Sequence, residues 1–381
     1  MLARDEVCTV ETAWYTVANA GEIPSPALLI YPDRVEENIR RMIRVAGSVE
    51  RLRPHMKTNK LPEVIRMQMD QGITKFKCAT IAEAEMVAAC LAPDVLLAYQ
   101  PVGPNVQRFI RLVQTFPKTT FSALVDDEDT VRTLSNAAVQ AGLTVNLFLD
   151  LDCGMHRTGV RPGPHALALY RLIVCSPGLR PTGLHMYDGH IHDTDLAIRT
   201  RVCEEAFAQF RTMREELTTA GLPVPASVVG GTPTFPLHAR RAPPEDVECS
   251  PGTAVFWDWG YSTMLPDMDF IPAILVLTRV VSKPGANLLC LDLGHKAIAS
   301  EIPAPRVQLM GLPDAKAVGH SEEHLVLETD RAGEFRVGSC FYGMPWHVCP
   351  TVALHNEAVV VKNGRADERW RVVGRARTIT I

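Results

Sequence analysis

Leu52-Arg53-Pro54-His55-Met56-Lys57-Thr58-Asn59-Lys60 reads as a short strand that stops at a lysine. Arg53, His55 and Lys57 share one face, because strand side chains alternate with period two. A lysine at a strand's carboxyl end, beside a histidine and an arginine, suits a Schiff base. Cationic neighbours favour the neutral, nucleophilic form of an amine. Taken alone, Lys57 reads as well as a surface lysine in a strand-to-helix loop. The surrounding chain decides between the two.

Short apolar strands alternate with amphipathic helices on either side of this segment. The strands are expected at 52–56, 75–79, 95–99, 120–125, 145–151, 183–187, 227–230 and 247–249. Helical patterns run over 34–45, 61–71, 81–91, 105–115, 127–141 and 195–220, with Thr194 as N-cap of the last. Eight strands with helical crossovers fit a (β/α)8 TIM-type barrel over residues 24–251. A doubly wound open sheet is the alternative. Its first turn is usually Gly-rich, and here that turn is Pro54-His55-Met56-Lys57. After Pro251 the texture changes to short strands and turns, including the hairpin signal Asn363-Gly364. Residues 1–23 and 252–381 are therefore assigned to a second, mostly β domain.

The 381 residues are enough for one large domain and a smaller one. With 46% apolar residues, 22% charged residues and a net charge of -4, the composition is that of an ordinary globular chain. A mildly acidic chain without a basic run is not built around nucleic acid. No apolar run reaches membrane-spanning length, and Met1 to Val7 contain no signal-peptide core. The ten cysteines are scattered, mostly in apolar runs, and read as reduced thiols of a cytoplasmic protein.

Catalysis in a barrel sits at the carboxyl ends of the strands. The fifth strand is followed by Asp152-Cys153-Gly154-Met155-His156-Arg157-Thr158-Gly159. The sixth runs into Tyr187-Asp188-Gly189-His190, the seventh into Gly230-Gly231-Thr232 and the eighth into Gly252-Thr253. The last two form a phosphate cradle in which backbone N–H groups converge and threonine adds a hydroxyl. A strand-end lysine and a phosphate cradle in one barrel point to pyridoxal 5'-phosphate.

At this point the chain resembles the fold-type III pyridoxal phosphate enzymes, the alanine racemase-like barrel group. Within it the likeness is to the D-threonine aldolase and D-serine dehydratase family. The motifs are Arg53-Pro54-His55-Met56-Lys57-Thr58, Gly154-Met155-His156-Arg157-Thr158-Gly159, Gly230-Gly231-Thr232-Pro233-Thr234, Pro251-Gly252-Thr253 and His347-Val348-Cys349. The resemblance makes Lys57 the lysine that carries the cofactor. It makes Arg157 the partner of the phenolic oxygen, and Gly230, Gly231, Thr232, Gly252 and Thr253 the phosphate loops. Tyr187, alternating into the barrel with His185, joins the cofactor site. His347 and Cys349 match a divalent-metal pair for Mn, Mg or Zn. On a strand, residues i and i+2 point the same way and can share one ion. The cluster His185, His190 and His192 is a rival metal site.

The resemblance implies a lyase that cleaves the Cα–Cβ bond of β-hydroxy D-amino acids to glycine and an aldehyde, with Lys57 and His347 catalytic. It also implies a homodimer with neither nucleic acid nor membrane as partner. A D-serine or 3-hydroxyaspartate dehydratase is the close competitor, and an amino-acid racemase comes third. A non-catalytic cofactor carrier of this fold would consist of the barrel alone.

Overall fold

In the computed structural model, residues 13–241 and 247–381 are described. Met1 to Val7 lie outside them.

The strands, in chain order, are β1 (Ala27–Ile30), β2 (Lys75–Cys78), β3 (Asp94–Leu97), β4 (Thr120–Val125), β5 (Val145–Leu151), β6 (Leu179–Met186), β7 (Ala226–Val229) and β8 (Glu248–Cys249). They continue with β9 (Ile274–Gly285), β10 (Leu288–Leu291), β11 (Val307–Leu309), β12 (Lys316–His320), β13 (Leu325–Glu328), β14 (Cys340–Pro345), β15 (Glu357–Lys362) and β16 (Arg365–Arg371). β2 to β8 form one parallel sheet in sequential order. Residues 52–56 close the ring. Leu52 bridges Cys249 on one side, and His55 bridges Lys77 on the other. Arg53 N and His55 N donate to the carbonyls of Cys249 and Pro251, and Met56 N donates to Lys77 O. Pro54 sits mid-segment with no N–H to donate, so its ladder is broken while its carbonyl still accepts from Lys77 N. The expected barrel stands, with its first staves short and stitched.

The crossover helices sit where apolar periodicity placed them, at Pro32–Ala46, Pro62–Asp70, Ile81–Ala89, Pro104–Thr115, Glu128–Gln140 and Leu196–Thr219. A further helix, Pro164–Cys175, lies between β5 and β6. The long helix is capped by Asp195, whose carboxylate accepts from Ala197 N and Ile198 N, rather than by Thr194.

The barrel interior is layered. At the amino ends of the strands, Arg53 bonds Asp94 at 2.6 Å and Glu248 at 2.6 Å, and Lys75 bonds Glu248 at 2.5 Å. Above this ionic floor sits an apolar layer containing Leu96, Leu124, Phe148 and Val228. The polar groups of the mouth come next.

The second sheet is mixed, in the order β12-β13-β10-β9-β1-β15-β16, with β14 also on β9 and β11 on β14. The expected barrel start at residue 24 is corrected for one element. Ala27–Ile30 pairs antiparallel with β9 and parallel with β15, so it belongs to the β sheet. All four of its residues are buried, which removes the alternation that would have marked it. The Asn363-Gly364 hairpin joins β15 to β16, both residues having positive φ. β16 ends at Arg371, and a short 3-10 turn follows at Val373–Arg375.

Candidate active site

Lys57 follows the last bridged residue of the closing segment, at the carboxyl end of the barrel. It lines a cavity of ≈ 620 Å³ together with His55, Tyr99, Asp150, Arg157 and Arg377. Tyr187 leaves the end of β6 into the same place. Lys57 Nζ lies 5.5 Å from its ring centroid, and the Arg157 guanidinium lies 4.7 Å away. The fold therefore brings Lys57, Arg157 and Tyr187 together.

The electrostatic surroundings of Lys57 differ from the expected cationic face. Arg53 lies on the ionic floor, neutralised by two carboxylates. Burial first, then Lys57, Lys77 and His185, holds His55 well below the usual imidazole range. Its Nδ1 accepts from Lys57 N at 3.2 Å, as a neutral ring does. The cationic companion is Lys77 of β2, 1% exposed, which the sequence reading left unremarked. Lys60 points away from this site, pairing with buried Glu83 and reaching the carbonyl of Gly374.

The seventh and eighth loops meet at Thr232, whose hydroxyl accepts from Gly252 N at 3.0 Å and Thr253 N at 3.1 Å. Side chains are excluded there. A Cβ on Gly252 would stand 3.1 Å from Thr58 Oγ1, and one on Gly231 would stand 3.0 Å from Tyr187 Cε2. Gly230 has φ +78, and its Cβ would fall 2.7 Å from His238 Cδ2. Asp188, fully buried, holds the back of this loop by accepting from Thr234 Oγ1 and contacting His238 Nε2 at 2.7 Å. A narrow cradle of backbone and hydroxyl groups facing a lysine and an arginine fits a phosphorylated pyridoxal.

His347 and Cys349 come together by a different route from the expected one. His347 is the N-cap of the helix Val348–Leu354, and Cys349 lies in its first turn. The strand argument is thus corrected, although the two side chains are hydrogen-bonded. His347 Nδ1 also meets Glu301 Oε1 at 2.5 Å. Asp258 Oδ2 accepts from Val348 N at 3.0 Å and fixes the helix start. Burial lowers the affinity of His347 for its proton, but Cys349 and then Glu301 more than offset this and raise its pKa to about 9. Burial pushes the Cys349 thiol up, while His347, Lys57 and Thr253 bring it below its ordinary value. Cys349 Sγ stands 3.1 Å from Thr58 Oγ1 and 3.4 Å from Thr253 Oγ1. A thiol inclined to ionise beside an imidazole is a two-residue donor set of the type that suits zinc-like divalent ions.

The rival histidines do not converge. His185 is buried on Asp150 at 2.7 Å, while His192 is exposed. Asp188, Cys203 and His238 do bring ligand atoms within 4.8 Å of one another. Their polar atoms already bond one another, Thr234 and Arg241, and a guanidinium against the imidazole opposes a cation. Among the described residues no helix is long and apolar enough to cross a membrane.

Residues 30–258 match the family "Alanine racemase, N-terminal domain", and residues 273–361 match a serine dehydratase domain. The chain belongs to this family, the fold-type III enzymes whose expected cofactor is pyridoxal phosphate. It is 27% identical to the D-threonine aldolase of Arthrobacter sp over 93% of this chain and 93% of that protein. It is 29% identical to the 3-hydroxy-D-aspartate aldolase of Paracoccus denitrificans (strain Pd 1222), over 94% of this chain and 93% of the relative. The crystal structure of D-threonine aldolase from Filomicrobium marinum superposes with a TM-score of 0.85 at 27% identity, covering 93% of this chain and 96% of that one.

Proposed function

We propose that this protein is a pyridoxal phosphate- and divalent metal-dependent lyase that cleaves the Cα–Cβ bond of β-hydroxy D-amino acids, releasing glycine and an aldehyde. The observation that carries the reading is the contact of Cys349 Sγ with Thr58 and Thr253. It supports a reading in which an ion on His347 and Cys349 would lie beside both the Lys57 segment and the Gly252-Thr253 loop.

Pyridoxal phosphate, when bound, supplies the electron sink for a bond broken at Cα. Lys57 would hold it, and Arg157 would face its phenolic oxygen. The loops of Gly230, Gly231 and Thr232 and of Gly252 and Thr253, with the two threonine hydroxyls, would hold the phosphate. Tyr187 would flank the ring, pinned between Gly231 and Gly189. His347 and Cys349 would hold the ion, whose charge lowers the pKa of a nearby hydroxyl. Glu301, on Nδ1 of His347, would orient the ring so that its other nitrogen faces the ion. Cys78, Cys90, Cys153 and Cys203 are buried outside any disulfide, which supports a cytoplasmic setting. A homodimer remains part of the proposal.

A second reading, dehydration to a keto acid and ammonia, is favoured by the thiol ligand, which suits zinc, and by the serine dehydratase match over 273–361. Products from D-threonine separate the two. Glycine with acetaldehyde supports the aldolase, whereas 2-oxobutanoate with ammonia overturns it in favour of the dehydratase.

A further inference from the structure

Lys77 is unlike the other buried cations of the barrel. Arg53 has two carboxylate partners. Lys77 Nζ has His185 Nε2 at 3.5 Å and the Tyr187 ring at 5.9 Å, and among the described residues no carboxylate lies within ion-pairing distance of it. The neighbouring carboxylates are committed elsewhere. Asp150 bonds His185 and Thr158, and Asp188 bonds Thr234 and His238. The remaining groups around Lys77 are Arg53, His55 and Lys57 on the first segment, Arg157 after β5, and the apolar layer of Leu96, Leu124, Phe148 and Val228 below. Lys57, Lys77 and Arg157 thus lie within 6 Å of the single Tyr187 ring. A fully buried ammonium without a counter-charge is costly, and such a group gives up its proton instead. Burial, then Lys57, outweighs the pull of nearby Asp188 and Asp150, neither paired with Lys77, and lowers the pKa of Lys77 to about 7.

We propose that Lys77 is a third cation of the cofactor site, a buried amine that takes up a proton when the anionic cofactor fills the cavity above it. The inference rests on the pyridoxal phosphate reading and extends it. A phosphate dianion and a phenolate placed beside Lys77 would add close counter-charge to the weaker pull of Asp188 and Asp150. Lys77 is a positioning residue here: it sets the charge beneath Lys57 and Tyr187 without forming a bond to the cofactor. Asp150, through His185, orients the ring that faces it.

The test uses the full chain stripped of cofactor, titrated calorimetrically at pH 8 with 4'-deoxypyridoxine 5'-phosphate. This analogue carries the phosphate and phenol but no aldehyde, so Lys57 chemistry is silent. Buffers of different ionisation enthalpy report the protons bound. The wild-type protein should take up about 0.5–0.9 proton per site more than Lys77→Met. Lys77→Arg, charged throughout, should show the same deficit while binding at least as tightly as Lys77→Met. Lys77→Gln replaces Lys77→Met if that variant does not fold. No uptake by the wild-type protein, or equal uptake in all variants, overturns the inference. Borohydride reduction with pyridoxal phosphate itself provides the separation. Failure to label Lys57, with no analogue binding, sinks the enzyme reading, whereas binding without linked protons sinks only the role of Lys77.

Discussion

Arg53→Met tests whether the arginine beside the lysine segment serves the fold or the chemistry. Arg53 is 2% exposed and bonded at 2.6 Å to each of two carboxylates on strands far apart in sequence. Breaking a buried ion pair from one side typically costs about 3–5 kcal/mol, because the partner charge stays buried. Two facts lower the estimate. Glu248 keeps Lys75 at 2.5 Å, and the Asp94 side chain is 31% exposed. A loss of about 3 kcal/mol is expected, measured by urea unfolding of cofactor-free protein at pH 7.5, where ligand linkage does not contribute. Adding Asp94→Asn should recover part of it by removing the stranded charge. The loss should also depend on pH. Burial pushes the Glu248 carboxyl up, but Arg53 and then Lys75 hold it below its ordinary value. A carboxylate depressed in the folded state adds stability above its unfolded pKa of about 4.3, and this is lost as pH falls through the folded value. The gap between wild type and variant should therefore narrow below about pH 4. Cofactor affinity should change little. If Arg53→Met keeps full stability and loses pyridoxal phosphate binding, Arg53 acts on Lys57 and the floor assignment fails.

Lys60→Met should loosen the carboxyl-terminal segment around Gly374 yet leave borohydride-fixed cofactor on Lys57, as peptide mapping would show. His347→Ala and Cys349→Ala should each lower metal affinity at least ~10-fold, read by metal content after dialysis, with the visible cofactor absorbance retained. Gly183→Ala should sharply reduce soluble yield. Its φ is +145 and an added Cβ would overlap the Ala226 carbonyl oxygen across the β6–β7 pair, so wild-type yield and melting temperature would refute the packing.

The barrel was legible because each strand is a short apolar run between helices of clear period. The reading faltered where a rule had two solutions. Ala27–Ile30, buried on both faces, looks like any entry strand of a barrel, and only its pairing with β9 and β15 gives it to the other sheet. The segment Arg53-Pro54-His55-Met56-Lys57 yielded its alternation but not its charges. Sequence spacing puts Arg53 beside Lys57, while burial depth sends Arg53 to the ionic floor. The stronger signal lay twenty residues on, in Lys75-Phe76-Lys77-Cys78. There the outward residues, Phe76 and Cys78, are the apolar ones, so both lysines must point into the barrel. Lys75 found a carboxylate partner in Glu248, at the amino end of the strands, and Lys77, one pleat further in, did not.

His347 and Cys349 show why motif spacing and geometry separate. His-x-Cys was expected to converge by period two, yet it does so across an N-cap. His347 has extended φ and ψ of -128 and 105 before the helix begins, and Cys349 is already in the first turn. What fixes the pair is Asp258, distant in sequence, whose carboxylate holds Val348 N. Asp258 also caps the helix Trp259–Met264 by accepting from Tyr261 N. One buried carboxylate thus sets two helix starts. A change at Asp258 would move His347 and Cys349 together, and with them the contacts of Cys349 to Thr58 and Thr253.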